Sequence, residues 1–273
     1  MSDIPSADHI SVEMSGHVAT VWMDRPDALN AMAPQFWKDF PQVIEALGAD
    51  EDVRVIVIAG KGRAFTAGID LKGFAPLLAG STPDVATRQA LYKSIGEMQH
   101  TFTSLAKCPK PVIAAVHGYC LGAGVDMIAA CDIRLASADA VFSVREAKLG
   151  FVADVGTTQR LPKIVNASAA AELMFTGKDI TADEALQMGL VGRVYPDANT
   201  LHKEAMAMAE EIAANSPLAV QGAKHIMRVG ENLSTDEALD YMAVWNSSFL
   251  ASEDIREAMM AYMENREPKF TGK

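Results

Sequence analysis

A change of character near residue 166 sets what this chain can fold into. Beyond that point apolar residues recur at helical spacing in segments 168–176, 182–188, 201–214, 218–229, 235–251 and 253–266, with Ala and Met abundant. Strand signals in this half are confined to residues 192–195. Before it, residues 53–59 and 111–116 are short apolar runs ending in Gly or His-Gly, the pattern of strands buried on both faces. Residues 133–136 and 141–144 supply further short strands. Segments 9–14 and 17–22 alternate apolar and polar around Ser15-Gly16, a hairpin signal. Phe36, Phe40, Val43, Ile44 and Leu47 share one helix face, and Pro41 within it is expected to kink or interrupt that helix. The expectation is an α/β core followed by a helical region, with no fixed-period repeat.

At 273 residues, 22% charged and 49% hydrophobic, the chain is long enough for one large core with a helical appendage. Its net charge of −11 argues against a general nucleic-acid or anionic-membrane surface, since both need a basic footprint. An anionic small ligand needs only a few local cations and stays open. Cys108, Cys120 and Cys131 are odd in number and lack metal-site spacing, so free thiols in a reducing compartment and no bound metal are expected. The acidic N-terminal segment does not read as a leader, and the final Phe-Thr-Gly-Lys is not a peroxisomal address. No run of about 18 apolar residues offers a membrane span. A cytoplasmic protein is expected.

Chemistry concentrates between residues 122 and 163. Gly122-Ala123-Gly124 is a tight turn leading into an apolar helical stretch, and such a turn presents backbone N–H groups where negative charge can develop. Asp126, Glu146 and Asp154 follow, all within 29 residues. Asp126 lies among apolar neighbours, which argues against a surface role complementing the helix dipole. Glu146 taken alone is an ordinary charged-loop residue. Asp154, in Phe151-Val-Ala-Asp-Val, stands just before Gly156 and a Thr-rich helix start, so capping that helix is one use for it. A carboxyl without a partner in such a setting tends toward a raised pKa, which suits a proton carrier. Acids beside an oxyanion cradle point to proton transfer next to a carbonyl.

These residues, with Ala28-Leu-Asn-Ala-Met32, Phe65-Thr-Ala-Gly-Ile-Asp70, Lys110-Pro-Val-Ile-Ala-Ala-Val-His-Gly118, Ala130-Cys-Asp-Ile-Arg134 and Thr158-Gln-Arg-Leu-Pro-Lys163, resemble the crotonase (enoyl-CoA hydratase/isomerase) superfamily over nearly the whole chain. The spacings of 20 and 8 between the three acids, and Ala153-Asp-Val-Gly-Thr around the last, resemble its Δ3,5-Δ2,4-dienoyl-CoA isomerases. Asp132 and Asp139 match no catalytic position of that family. The resemblance implies a spiral of ββα units, with C-terminal helices that assemble trimers or dimers of trimers. It implies residues 1–200 as the spiral core and 201–273 as the trimerisation region.

By the same resemblance the N–H groups of Ile69 and Ala123 form an oxyanion hole, with Ala123 where many members carry Gly. Glu146 and Asp154 become the acid/base pair, and Asp126, usually Glu in hydratases, supports their ionisation. Thr66, Ala67, Gly68, Asp70, Lys72 and Lys269 are expected to bind the acyl-CoA. Near Asp27–Ala28, where the family often carries a cation for a CoA phosphate, this chain has none. His117 is expected to be a turn residue. No cofactor is implied, because coenzyme A is part of the substrate. Moving a 3,5-dienoyl thioester to its 2,4-isomer takes a proton from C2 and adds one at C6, a span that calls for two carboxyl groups. A 2-enoyl-CoA hydratase is the alternative, in which Asp154 would be superfluous. A crotonase-fold RNA-binding protein is a third, disfavoured by the acidic balance.

Overall fold

A computed structural model describes residues 4–5, 7–78 and 84–273, with backbone alone at 75–78. The acidic N-terminal segment therefore lies partly outside the described residues. A six-stranded sheet runs in the order β1 (Ile10–Ser15), β2 (Val18–Met23), β3 (Val55–Gly60), β4 (Val112–Val116), β6 (Ile133–Ser137) and β9 (Arg193–Tyr195). The first two form the expected antiparallel hairpin, with Ser15 opposite Val18, and every later pairing in this sheet is parallel. A smaller sheet orders β5 (Tyr119–Leu121), β7 (Val141–Ser143) and β8 (Ile180–Thr181).

The uninterrupted apolar run of β3 follows from burial on both faces. Successive side chains point to opposite sides of a strand. Ile56 and Ile58 enter the main core with Phe36, Phe40, Val43, Ile44 and Leu47 of α1 (Phe36–Ala49). Val55, Val57 and Ala59 face the other way, against Leu201, Ala205, Ala209 and Ala213 of α9 (Ala198–Ala214). Alanine every fourth residue lets that helix lie close to the sheet. Helix α9 packs on that face of the sheet against β2, β3, β4, β6 and β9, so residues beyond 200 contribute to the core.

Pro41 does not break α1, which runs without interruption. Proline removes the N–H that the carbonyl of Trp37 would accept. Thr101 Oγ1, from α3 (Val85–Lys107), donates to that carbonyl at 3.0 Å instead. Neither α3 nor the preceding α2 (Leu71–Leu78) is signalled by sequence periodicity, and strand β8 adds to the strand signal seen at 192–195.

Four short helices frame the site: α4 (Ala123–Ala129), α5 (Glu146–Leu149), α6 (Thr157–Ile164) and α7 (Ala167–Thr176). Then come α8 (Ala182–Met188), α10 (Pro217–Gly230), α11 (Thr235–Phe249) and α12 (Glu253–Glu264), close to the helical segments read from sequence. No described helix is long and apolar enough to cross a membrane.

Candidate active site

Parallel strands β3 and β4 deliver their C-terminal ends to two loops that are laced together. Phe65 N–H donates to His117 O, and Thr66 N–H to Tyr119 O, both at 2.8 Å. Leu121 N–H returns a bond to Thr66 O at 3.1 Å. Gly68, at φ +88, approaches so closely that a Cβ there would stand 2.5 Å from Leu121 O and 3.5 Å from Ala123 N. Only glycine permits that contact.

Two backbone donors are left free where the loops meet. Met32 N–H donates to Gly68 O at 2.8 Å, and Asp70 N–H donates to Met32 O at 3.0 Å. In a parallel bridge the residue between those two, Ile69, turns its own N–H away from the partner. Ala123 opens α4, so its N–H has no acceptor within the helix. Neither group has a backbone acceptor among the described residues.

The three acids converge behind these donors. Asp126, in the first turn of α4, is fully buried at 0% exposure, and Glu146, first residue of α5 after β7, is 6% exposed. A Cβ on Gly122 would lie 3.3 Å from Glu146 Oε1, so that carboxyl abuts the residue just before Ala123. Asp154 is half-buried on the loop between α5 and α6, and Gln99 Nε2 holds its carbonyl at 2.7 Å. Helix α6 is capped by Asp126, whose Oδ1 accepts from Thr157 N–H at 2.5 Å, and not by Asp154.

Burial raises the pKa of all three. It lifts Asp126 to about 6, against the lowering effect of Thr157 beside it. Glu146 rises to about 7, first through burial and then through the neighbouring charge of Asp126. Asp154 rises through burial. Seven buried side-chain polar atoms lack a partner among the described residues, and Asp126 Oδ2, Glu146 Oε2 and Thr157 Oγ1 are three of them. Such groups cost roughly 1–3 kcal/mol each, and their concentration at one place marks a working site.

The other residues singled out by sequence divide. Ala67 donates its N–H to Leu29 O at 2.9 Å and leaves its carbonyl free of described bonds. Lys72 is exposed, and its ammonium makes no ion pair among the described residues. Thr66 is fully buried, and its hydroxyl donates to Asn30 O at 2.7 Å and accepts from Gly68 N–H at 3.1 Å, so its side chain braces the loop. Asp70 pairs with Arg25 at 2.7 Å and accepts from the N–H groups of Lys72 and Gly73 at the head of α2, which holds its pKa below the ordinary range.

The Lys269 backbone is held apart from these loops within its own chain. Its N–H donates to Glu257 at 2.7 Å, and the next carbonyl, Phe270 O, accepts from Arg54 at 2.7 Å. Arg54 precedes β3, whereas the 61–70 loop follows it. Six strand residues at about 3.3 Å each therefore put Lys269 roughly 20 Å from the site within one chain. Asp132 binds Lys224 and Val112 N–H, Asp139 binds Ser137, and His117 bonds Gly62 O, all structural roles. Sequence reasoning missed Arg25, Gln99, Thr157 and Arg160. The nearest signal was the polar run Thr157-Thr-Gln-Arg160 after a glycine. No group of three or more described His, Cys, Asp or Glu residues is arranged to hold a metal.

Residues 13–273 match the family described as Enoyl-CoA hydratase/isomerase. A mitochondrial Delta(3,5)-Delta(2,4)-dienoyl-CoA isomerase of Mus musculus is 45% identical over 93% of this chain and 78% of its own length. A peroxisomal isomerase of the same name from Arabidopsis thaliana is 41% identical over 91% of this chain and 90% of its own. Among solved structures, an enoyl-CoA hydratase from Bacillus anthracis superposes with a TM-score of 0.89 at 29% identity, covering 97% of this chain and 100% of the other.

Proposed function

This chain belongs to the enoyl-CoA hydratase/isomerase family, and we propose that it isomerises a 3,5-dienoyl-CoA to the 2,4-dienoyl-CoA in fatty-acid β-oxidation. The observation that carries the reading is the third acid. Asp154 joins Asp126 and Glu146 in one partly desolvated cluster, where water addition would need only two.

The chemistry follows from the geometry. The thioester carbonyl would sit between the N–H groups of Ile69 and Ala123, which stabilise an enolate oxygen by roughly 3–4 kcal/mol per donor. Glu146, beside Gly122 and hence beside that oxygen, would take the proton from C2. The electrons of that C–H bond move along the diene to C6, which receives a proton from Asp154. Asp126 keeps the trio from ionising together, because close carboxylates cannot all carry charge readily. The carbonyl of Ala67, free of described bonds, and the exposed Lys72 would meet the CoA end of the substrate. Coenzyme A enters as part of the substrate, and none of these steps calls for a cofactor.

Exposed apolar residues on α11 and α12, among them Leu239, Val244, Met259 and Met263, support assembly as a homotrimer or hexamer. Cys108, Cys120 and Cys131 are free and buried, which supports a reducing compartment, here taken as the cytoplasm.

The test is a substrate panel read by ultraviolet absorbance, since bringing the diene into conjugation with the thioester creates a new chromophore. Growth of that band from a 3,5-dienoyl-CoA, with slow hydration of crotonyl-CoA, is the expected result. Fast hydration without isomerisation would return the chain to the hydratase reading.

A further inference from the structure

Asp154 rides on a loop, and loop backbone is ordinarily the most mobile part of a fold. Here two consecutive carbonyls of that loop are held from outside it. Gln99 Nε2 donates to Asp154 O at 2.7 Å, and Arg160 Nη1 donates to Val155 O at 3.3 Å. Both donors are joined through Thr103, one helical turn after Gln99 on α3. Thr103 Oγ1 donates to Gln99 O at 2.7 Å and accepts from Arg160 Nη2 at 3.0 Å.

The bonds close a ring: Gln99, Thr103, Arg160, Val155, Asp154 and back to Gln99. Gly156 makes room for it. Its φ is +136, and a Cβ built there would overlap Arg160 Nη1. The guanidinium can therefore fold back over the start of α6 only because residue 156 is glycine. One residue further on, Thr157 N–H is taken by Asp126. Every bond of the ring goes to main chain or to a neutral hydroxyl, and none goes to the Asp154 carboxylate. That group stays free to exchange a proton while its backbone is fixed.

We propose that Gln99 and Arg160 are positioning residues that clamp the Asp154 loop onto α3, keeping the Asp154 carboxyl at the distance from Glu146 that a C2-to-C6 proton shift requires. The clamp deepens the isomerase reading and rests on it. Errors of position near 1 Å cost about 100-fold in rate, so a loosened tether at the second acid should appear in kcat. It should leave substrate binding, which depends on the Ile69 and Ala123 loops, largely unchanged.

Gln99 is exposed, so replacing it does not threaten the fold. Gln99→Leu keeps bulk and removes the donor, Gln99→Lys keeps a donor of similar reach, and Arg160→Met breaks both guanidinium bonds. Dienoyl isomerisation kinetics and hydrogen exchange of the 154–158 amides are measured on the full chain for each. The expected result is a fall in kcat of about tenfold for Gln99→Leu with KM within about twofold, and recovery in Gln99→Lys, with faster exchange at 154–158 in the Leu and Met variants only. Equal losses in Gln99→Leu and Gln99→Lys, or unchanged exchange in Gln99→Leu and Arg160→Met, would overturn the clamp. An inactive wild-type protein defeats the isomerase reading instead, and the exchange comparison then still decides whether the ring holds the loop.

Discussion

Thr157 N–H donates to Asp126 Oδ1 at 2.5 Å, so the acid at the head of one helix caps the head of another. That single bond redistributes the roles of the acids. Asp154 is the residue whose sequence position suits a cap for α6, yet its carboxyl is left uncommitted. Asp126 does the capping from 31 residues away and remains fully buried, with its second oxygen unpartnered.

A buried acid with a raised pKa makes stability depend on pH with a definite sign. The folded state holds a proton on Asp126 up to about pH 6, and on Glu146 up to about pH 7, whereas their ordinary values are 3.8 and 4.5. Between those limits the folded chain binds more protons than the unfolded one, so the contribution is full below the ordinary values and is lost as pH rises. For Asp126 alone the loss is on the order of 3 kcal/mol at about 1.4 kcal/mol per pKa unit. Asp126→Asn keeps an oxygen for Thr157 and cannot ionise. Its Tm should exceed the wild-type value at pH 8 and approach it near pH 4. A gain of equal size at both pH values would show that charge on Asp126 is not the cause.

In the catalytic reading the same charges set the pH–rate profile. Glu146 must be ionised to take a proton, so activity should climb through about pH 7. Removing the Asp126 charge removes the second cause of the raised Glu146 pKa. Asp126→Asn should therefore move the acid limb to lower pH while retaining much of the rate. Glu146→Gln and Asp154→Asn should each lose at least about 100-fold in kcat, since neither amide carries a proton. Near wild-type turnover in Asp154→Asn would remove that residue from the mechanism. A larger loss in Asp126→Asn than in the other two would reverse the division of roles.

The Pro41 arrangement offers a test independent of activity. Thr101 Oγ1 satisfies the Trp37 carbonyl only because Pro41 cannot. Thr101→Val should cost about 1–2 kcal/mol in the wild-type background, the penalty of a buried unpaired carbonyl. In a Pro41→Ala background the helix supplies its own N–H, and the same change should cost distinctly less. A double-mutant cycle by denaturant unfolding reads the difference, and perfectly additive energies would contradict the compensation.

What the sequence made legible, and what it hid, has physical causes. Buried parallel strands such as β3 and β4 are apolar on both faces, so they stand out as uninterrupted runs. The helices from 182 onward were legible because their caps and apolar spacing are local; Thr181 with Glu184 and Ser234 with Glu237 even complete capping boxes. Helix α3 escaped notice because only Thr101, Phe102, Ser104 and Leu105 of its 23 residues are buried, leaving little apolar period to detect. The part α9 takes in the core is faint in the sequence because its stripe, Leu201, Ala205, Ala209 and Ala213, is apolar but small. At the site, motif spacing brought out the three acids. The committed state of Thr66 and Asp70, the cap from Asp126 and the ring around Gln99 depend on contacts between residues far apart in the chain, which no local pattern encodes.

Assembly is the last test. On α12, Ile255, Met259 and Met263 recur every fourth residue and form a stripe, with Met259 65% and Met263 76% exposed. The neighbouring Tyr262 is 88% exposed. Water-facing methionines and a tyrosine on one short helix are the pattern of a surface that another subunit covers. The polar side of α12 is anchored to its own chain, because Asp254 accepts from Ser216 Oγ at 2.6 Å and from Thr271 N–H at 2.9 Å. Met259→Glu with Met263→Glu should therefore leave the chain folded by circular dichroism yet lower its light-scattering mass from a trimer or hexamer toward one chain. Removing residues 251–273 strips the anchor as well, and should give dissociated or insoluble protein. A mass of one chain for the intact protein would sink the prediction, as would a double variant that stays assembled.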